Sequence, residues 1–454
     1  MSDTLMVGVA GVRGLVGTDL TPEVVARWAA AFGTWAKSGK VVLGRDARTS
    51  GPMFARAATA GLMSVGCAVI DVGLVTTPTV QLAVEHHRAA GGIILTASHN
   101  PIEWNALKFV GPDGIYLGVD DGTRVAALAQ SREDGTIARA GYDGVGGVTT
   151  DADSIERHLA ALLKLRALDV KAIRRRRFRV ALDTVRGAGG VVMPELLERL
   201  GCRVAAINLE PDGRFPRPPE PLPEHLKQLG ALVRRHKADV GIAVDPDVDR
   251  LALVDERGKA IGEDYTLAFA VRAVLGKRGK GKTVVCNLST SLVVEDAARD
   301  CGAQVVRSPV GEAHVARTIL AHKAAVGGEG NGGVMYPPLH VGRDAPLAAA
   351  FVLALLTRER RSVSELVAGA PRYSIVKDKV SRGPRLEPVY EGLRRAFGAA
   401  AVDTQDGLRL AWPDRWLHVR PSNTEPIIRL IAEAPTVADA QRLIDEGRRL
   451  CAGS

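Results

Sequence analysis

Ser98 sits in TASHNP, Thr96 to Pro101, directly after the apolar run GGIIL. A serine between a strand end and an Asn-Pro turn is exposed and held by backbone punctuation, the setting of a nucleophile or phospho-acceptor. The neighbouring His99 does not complete a Ser-His pair on this reading, because adjacent residues of an extended chain point to opposite sides. The same segment also reads as a loop in which Ser98 only caps a turn. A second cluster, DPDVDR, follows the apolar run VGIAV and places Asp245, Asp247 and Asp249 at i, i+2 and i+4, with Arg250 behind them. On an extended segment those carboxylates share one side and repel unless a cation sits among them. Magnesium fits an all-oxygen set, zinc would require His or Cys, and the EF-hand pattern fails for want of its Gly and terminal Glu. An acidic turn without an ion is the alternative.

Two further segments could bind rather than react. GGEGNGG, Gly327 to Gly333, lets backbone approach a ligand while Glu329 and Asn331 offer acceptors and donors suited to sugar hydroxyls; a plain flexible turn is the other reading. RPSNTEPIIR, Arg420 to Arg429, offers Arg420, Ser422, Asn423 and Thr424 to a tetrahedral dianion, or is a surface turn flanked by solvated arginines. There is no GxxxxGK[ST], so a P-loop is not the source of phosphate chemistry.

The chain that must position these segments has 454 residues, 46% hydrophobic and 24% charged, enough for about three domains of ~150 residues. No run reaches the ~18 uncharged apolar residues of a membrane span and no secretory signal is visible, so a cytoplasmic protein with no membrane partner is expected. Five widely spaced cysteines, none in CxxC, read as buried small residues. The charge of +9 suits anionic partners, but 4% aromatic content with no basic-aromatic interleaving gives no nucleic-acid platform. The basic run Arg174 to Arg177 reads as a solvated lead-in to a strand.

Three stretches repeat one pattern: KVVLGRD with PMFARAATAGLMSVG, FRVALDT with GGVVMPELLERLG, and KTVVCNLST with LVVEDAARDCG. Each is a strand, a loop, and a helix ending at Gly66, Gly201 or Gly302 before another strand, which predicts three related α/β domains. Linkers are expected near 135–153, 255–264 and 371. The last ~80 residues alternate strands (GLRLAWP, RWLHVRP, RLIAEAP) and end in a helix from Val437 to about Cys451, a small α+β domain. The expected divisions are 1–150, 151–255, 256–370 and 371–454.

Together and in this order, TASHNP, the DxDxDR loop, the GExxxG loop and the R-x-S-[GN]-T-E-P loop resemble the α-D-phosphohexomutase family over nearly the whole chain, with GVRG at 11–14 and GRDARTSG at 44–51 as further similar pieces. The resemblance implies an α/β fold of four domains around a central cleft, three related mixed-sheet units and a smaller C-terminal α+β domain. It implies that Ser98 carries a phosphoryl group, donates it to a hexose monophosphate, and recovers the other phosphate from a bisphosphorylated intermediate. It also implies Mg²⁺ held by Ser98, Asp245, Asp247 and Asp249, a hexose 1,6-bisphosphate activator, and a catalytic set of Ser98, Lys108, Arg13, His99 and Arg250. Lys108 is the general acid/base candidate, since a desolvated lysine beside cations can lose its proton near neutrality. Glu329 and Asn331 would hold the sugar, and Arg420, Ser422, Asn423, Thr424 and Arg429 the phosphate that is not reacting. The protein would be a monomer or homodimer.

Gly333 stands where many members have histidine, Asn331 where many have serine, Ala106 replaces a glycine, and Pro246 and Val248 replace small residues of the metal loop. GEGNGG with RPSNTEPI looks most like the archaeal-type phosphoglucosamine mutase branch, whose relatives also act on glucose and mannose phosphates. A phosphoserine-dependent hydrolase would not need the distal phosphate grip, and a sugar-phosphate sensor would gain nothing from self-repelling carboxylates.

Overall fold

The computed structural model describes residues 5–131, 133, 135–381, 386–422 and 427–452. The first domain opens with β1 (Met6–Gly8), β2 (Gly11–Leu15) and α1 (Pro22–Trp35), then runs β3 (Lys40–Arg45), α2 (Gly51–Met63), β4 (Ala68–Leu74), α3 (Thr77–His87), β5 (Gly91–Leu95), β6 (Trp104–Val110), α4 (Val119–Gln130) and β7 (Val148–Thr150). The second holds α5 (Ser154–Leu163), α6 (Val170–Arg176), β8 (Arg179–Asp183), α7 (Gly189–Arg199), β9 (Arg203–Ile207), α8 (Lys227–His236), β10 (Val240–Val244) and β11 (Leu251–Val254). The third holds α9 (Asp264–Leu275), β12 (Thr283–Asn287), α10 (Leu292–Asp300), β13 (Gln304–Ser308), α11 (Glu312–Ala321), β14 (Val326–Glu329), β15 (Gly333–Met335), α12 (Ala345–Glu359) and α13 (Val363–Ala368).

These three sheets share one topology. In the second domain the order is β11-β10-β8-β9, in the third β15-β14-β12-β13, and within the first β6-β5-β3-β4. Each time three strands are parallel and the fourth pairs antiparallel with the third. The turn into that antiparallel strand is therefore the same place in all three, and it carries TASHNP, DPDVDR and EGNGG respectively. The helix ends also repeat: Gly66, Gly201 and Gly302 all take left-handed φ (84°, 75° and 78°), where a glycine is needed to turn the chain back into the next strand. The basic run closes α6 instead of leading straight into a strand, with Arg174 to Arg177 solvent-exposed and Arg177 left-handed at φ 50°.

The fourth unit is a five-stranded antiparallel sheet, ordered β16 (Ser374–Ser381), β20 (Ile427–Ala434), β19 (Arg415–Pro421), β18 (Leu408–Trp412) and β17 (Ala401–Asp403), packed with α14 (Glu387–Ala396) and α15 (Val437–Ala452). Of the cysteines, Cys67 and Cys286 are buried and Cys202, Cys301 and Cys451 half-buried, all unpaired. No described helix is long and apolar enough to cross a membrane.

One apolar core runs without a break from Leu159 through the second domain to Leu366 in the third. Its centre is α12, whose residues from Ala345 to Leu353 are all buried, because an apolar sequence on every face demands neighbours on every face. The N-terminus of α12 is capped by Asp344, whose Oδ1 accepts from Leu347 N at 2.8 Å. Its Oδ2 meets His158 Nε2 at 2.9 Å and His340 Nε2 at 3.0 Å, while His158 Nδ1 meets Thr79 Oγ1 of α3 at 2.9 Å. A fully buried polar chain thus ties the first three domains at one point. Truncating Phe351, which is fully buried and edge-on to Tyr336 at 5.1 Å, is expected to cost about 3–5 kcal/mol. Urea unfolding of Phe351→Ala should show a clearly lower midpoint; a midpoint equal to the wild type would remove α12 from the centre of the core.

Candidate active site

The Ser98 loop is held by a single arginine. Arg48, wholly buried after β3, sends Nη2 to the carbonyls of Ser98 and Asn100 (both 2.6 Å) and Nη1 to those of Pro101 (2.6 Å) and Trp104 (2.8 Å). Its Nε bonds Asp46 Oδ2 at 3.2 Å, and that oxygen also accepts from Thr96 Oγ1, which in turn accepts from Ser98 N. A planar fork with five donors is what such a ring of backbone acceptors requires. Held this way, Ser98 takes left-handed backbone, φ 48°, a conformation a serine adopts only where its surroundings fix it.

That conformation changes the relation of Ser98 to His99. The chain is not extended here, and Ser98 Oγ lies 3.4 Å from His99 Nδ1, so the expectation that adjacent residues point apart does not hold. Positive charge from Arg250, then burial, then Arg13, lowers the His99 pKa well below the usual imidazole range, leaving a neutral ring beside the hydroxyl. The hydroxyl donates to Asp245 Oδ2 at 3.0 Å. Arg13 on β2 bonds Asn100 Oδ1 at 2.7 Å.

Asp245, Asp247 and Asp249 are fully buried, each offering an oxygen within 4.8 Å of the others. A tight turn gathers them, with Val248 at φ 63°, instead of the alternation of an extended strand. Their outer oxygens are spoken for. Asp247 Oδ2 accepts from Lys108 Nζ (2.8 Å) and Thr77 Oγ1 (2.9 Å), Asp249 Oδ2 accepts from Arg343 Nη2, and Asp245 Oδ1 accepts the amides of Asp249 and Arg250. Asp247 Oδ1 and Asp249 Oδ1 are buried with no partner. Burial, with Asp249 and Asp247 adding to it, pushes the Asp245 carboxyl well above its usual range. Burial acts the same way on Asp247, but the Lys108 ammonium overrides it and holds that group well below. Two unsatisfied buried carboxylate oxygens beside a third carboxylate suit a hard, oxygen-seeking divalent cation. No nitrogen or sulfur ligand completes the set, as zinc would require.

Arg13, Ser98, His99, Lys108, Tyr116, Arg250, Glu312 and Arg343 line a cavity of about 280 Å³ with the backbone of β1 and β2. Arg13, Lys108 and Arg250 on its wall suit a phosphate dianion, while Arg343 is taken up by carboxylates. Glu329, 3% exposed, takes Asn287 Nδ2 (2.8 Å) and the Gly311 amide (3.2 Å) on Oε1, and Arg343 Nη1 (2.8 Å) and Asn331 Nδ2 (3.4 Å) on Oε2. Arg420 and Ser422 stand at the end of β19, with Arg420 Nε 2.9 Å from Asp406 Oδ2. Asp406 Oδ2 also accepts the Val310 amide of the third domain at 3.1 Å. Arg429 lies opposite Arg420 on β20 with its side chain exposed. Asn423 and Thr424 lie outside the described residues. None of the described fourth-domain residues lines the cavity around Ser98; they connect to it through Asp406, the 310–311 turn and Glu329, which bonds Arg343 on its wall.

Four profiles of one family match in order along the chain. Domains I, II and III, each described as a phosphoglucomutase/phosphomannomutase alpha/beta/alpha domain, cover residues 4–135, 156–258 and 262–373, and the family's C-terminal domain covers 376–450. The chain belongs to the phosphoglucomutase/phosphomannomutase family. It is 38% identical to a probable phosphoglucosamine mutase of Methanopyrus kandleri, covering 97% of this chain and 96% of the relative. It is also 38% identical to a phosphoglucomutase/phosphomannomutase of Thermococcus kodakarensis, with 98% and 97% covered. Among solved structures, a phosphoglucomutase/phosphomannomutase family protein of Burkholderia thailandensis superposes with a TM-score of 0.85 at 27% identity, over 99% of this chain and 97% of that one.

For this family member the motif reading did not single out Arg48, Glu312, Arg343 or Tyr116. Arg48 stood inside GRDARTSG and could have been found there, since a charged residue between a strand and a helix N-terminus has reason to be tethered. Arg48→Lys keeps the charge but loses the fork, so amide exchange across 98–104 should quicken while β3 and β5 keep their protection. Unchanged exchange in that segment would deny Arg48 its hold on the loop.

Proposed function

We propose that this chain is a phosphohexomutase that interconverts hexose 6-phosphate and hexose 1-phosphate through phosphorylated Ser98, with glucosamine 6-phosphate the preferred substrate. The observation carrying this is Ser98 itself: buried, strained, bonded to one carboxylate of a cation-ready triad and facing a cavity whose wall carries Arg13, Lys108 and Arg250. A phosphoryl group on Ser98 Oγ passes to a sugar hydroxyl, so the P–O bond to Ser98 breaks, the P–O bond to the sugar forms, and the hydroxyl proton leaves. Lys108, the general acid/base candidate, shares the cavity wall with Ser98, while His99, neutral and 3.4 Å from Ser98 Oγ, faces the oxygen that leaves. The bisphosphate turns over, and the reverse step returns the other phosphate to Ser98. Arg13, Arg250 and Lys108 neutralise the transferring group, and Arg420, Ser422, Asn423, Thr424 and Arg429 hold the one at rest.

Asp245, Asp247 and Asp249 would hold Mg²⁺, through Asp247 Oδ1 and Asp249 Oδ1 first, since these have no hydrogen-bond partner. Bound there, the ion would supply charge neutralisation at the transferring phosphoryl oxygens. A hexose 1,6-bisphosphate would serve as activator by phosphorylating Ser98. A hydrolase reading is weaker, because it leaves the Arg420 segment without a task. Glucosamine preference rests on the relatives' names, and the equally similar phosphoglucomutase/phosphomannomutase supports activity on glucose and mannose phosphates too.

Ser98→Ala should lower turnover by several orders of magnitude with the fold intact, and intact-mass spectra should show a phosphorylated species in the wild type that the variant lacks. Near-normal turnover would sink the covalent route. Asp247→Asn should remove divalent-cation binding and turnover together; titration calorimetry showing wild-type affinity would exclude the triad as the ion's site. Across glucosamine, glucose and mannose 6-phosphates, kcat/KM should differ by about 10- to 200-fold, the range of a site that does not hydrogen-bond the distinguishing carbon-2 group. A ratio near ~10⁴ would reveal such a contact.

A further inference from the structure

Gly333 closes the hairpin between β14 and β15, and the room its side chain would take is filled. A Cβ at that position would fall 2.2 Å from Arg343 Cδ and 2.8 Å from its Cγ. Arg343 comes from the segment between β15 and α12, so its stem crosses directly over the hairpin. At its end the guanidinium, 7% exposed, meets three carboxylates from three separate segments. Nε bonds Glu312 Oε2 at 3.0 Å, Nη1 bonds Glu329 Oε2 at 2.8 Å, and Nη2 bonds Asp249 Oδ2. Glu312 is steadied from the first domain by Gln81 Nε2 at 3.1 Å.

We propose that Arg343 is a positioning residue of the mutase site: it fixes the metal-loop carboxylate Asp249 and the sugar-loop carboxylate Glu329 at one spacing, and Gly333 is the condition that lets it do so. This rests on the function proposed above. By taking Oδ2 of Asp249, Arg343 leaves Oδ1, which has no hydrogen-bond partner, as the atom that can ligate a cation, the part played by outer partners at metal sites generally. By taking Oε2 of Glu329, it sets the plane of the carboxylate that a sugar would meet. A planar fork reaches three carboxylates in three directions, which a lysine ammonium on a flexible stem cannot. With three carboxylates around it, its charge is already more than balanced, so it is a brace between loops and not a receptor for phosphate.

Two variants test this with the positive charge kept. Arg343→Lys loses the fork, and Gly333→Ala leaves Arg343 in place but drives its stem aside. Mn²⁺ is the probe, titrated calorimetrically without sugar, beside steady-state kinetics with glucosamine 6-phosphate and thermal unfolding. Both variants should bind Mn²⁺ about 10- to 100-fold more weakly, and both should show a raised KM and a lowered kcat. Wild-type Mn²⁺ affinity and KM with only a lower unfolding midpoint would make Arg343 a merely structural brace. A raised KM at unchanged Mn²⁺ affinity would make it a direct phosphate ligand. Either result overturns the proposal while leaving the mutase reading standing. A wild type that binds no Mn²⁺ would instead overturn the metal reading and this inference with it.

Discussion

Three carboxylates closed off from water repel one another, and the first three domains are arranged around the need to offset that repulsion. Each contributes a cation: Lys108 from the first to Asp247, Arg250 from the second 3.8 Å from Asp249, and Arg343 from the third to Asp249. The backbone contributes as well. The Thr77 amide bonds the Asp247 carbonyl, the Leu251 amide bonds the Gly332 carbonyl, and the Ala345 amide bonds the Val248 carbonyl. Backbone strain at Val248 persists because these inter-domain contacts over-determine its turn, as Arg48 does for Ser98 within the first domain. Remove one domain and a charge is left buried without its counterpart, a cost of several kcal/mol.

The common strand order explains how such distant segments meet. In each α/β domain the reactive loop joins the third parallel strand to the antiparallel fourth, so each sheet presents its loop at the same edge and end. Packing three like sheets with those ends inward brings Ser98, the three aspartates and Glu329 together around one cavity. The fourth domain has a different sheet and contributes differently, through an arginine at a strand end tied by Asp406 to the turn before α11.

Much of this could be read from residue types and local spacing. The strand-loop-helix repeats, the left-handed glycines and the loops that carry chemistry all depend on neighbours within a few positions. What could not be read depends on backbone conformation or on contacts far along the chain. His99 comes beside Ser98 only because φ at 98 is positive, and that sign is set by Arg48, fifty residues earlier. The aspartates converge by a turn at Val248, a β-branched residue that local preference would keep out of left-handed backbone. Arg343 is one of 60 basic residues, and nothing in its immediate sequence distinguishes it; its partners lie 14, 31 and 94 positions away. The joining of His158 to Asp344 and to Thr79, 186 and 79 positions away, was hidden for the same reason.

The unbroken core from Leu159 to Leu366 separates two meanings of the word domain. By strand order, the second and third units are copies of one pattern and divide near residue 260. By stability they do not divide there, since α12 packs into both and has no solvent face to fall back on. The unit that repeats is therefore smaller than the unit that packs as one. A chain cut near 260 would yield two pieces of like strand order, each stripped of part of its core, whereas the fourth domain, with its own core around Leu393, Leu417 and Ile444, keeps the two meanings together.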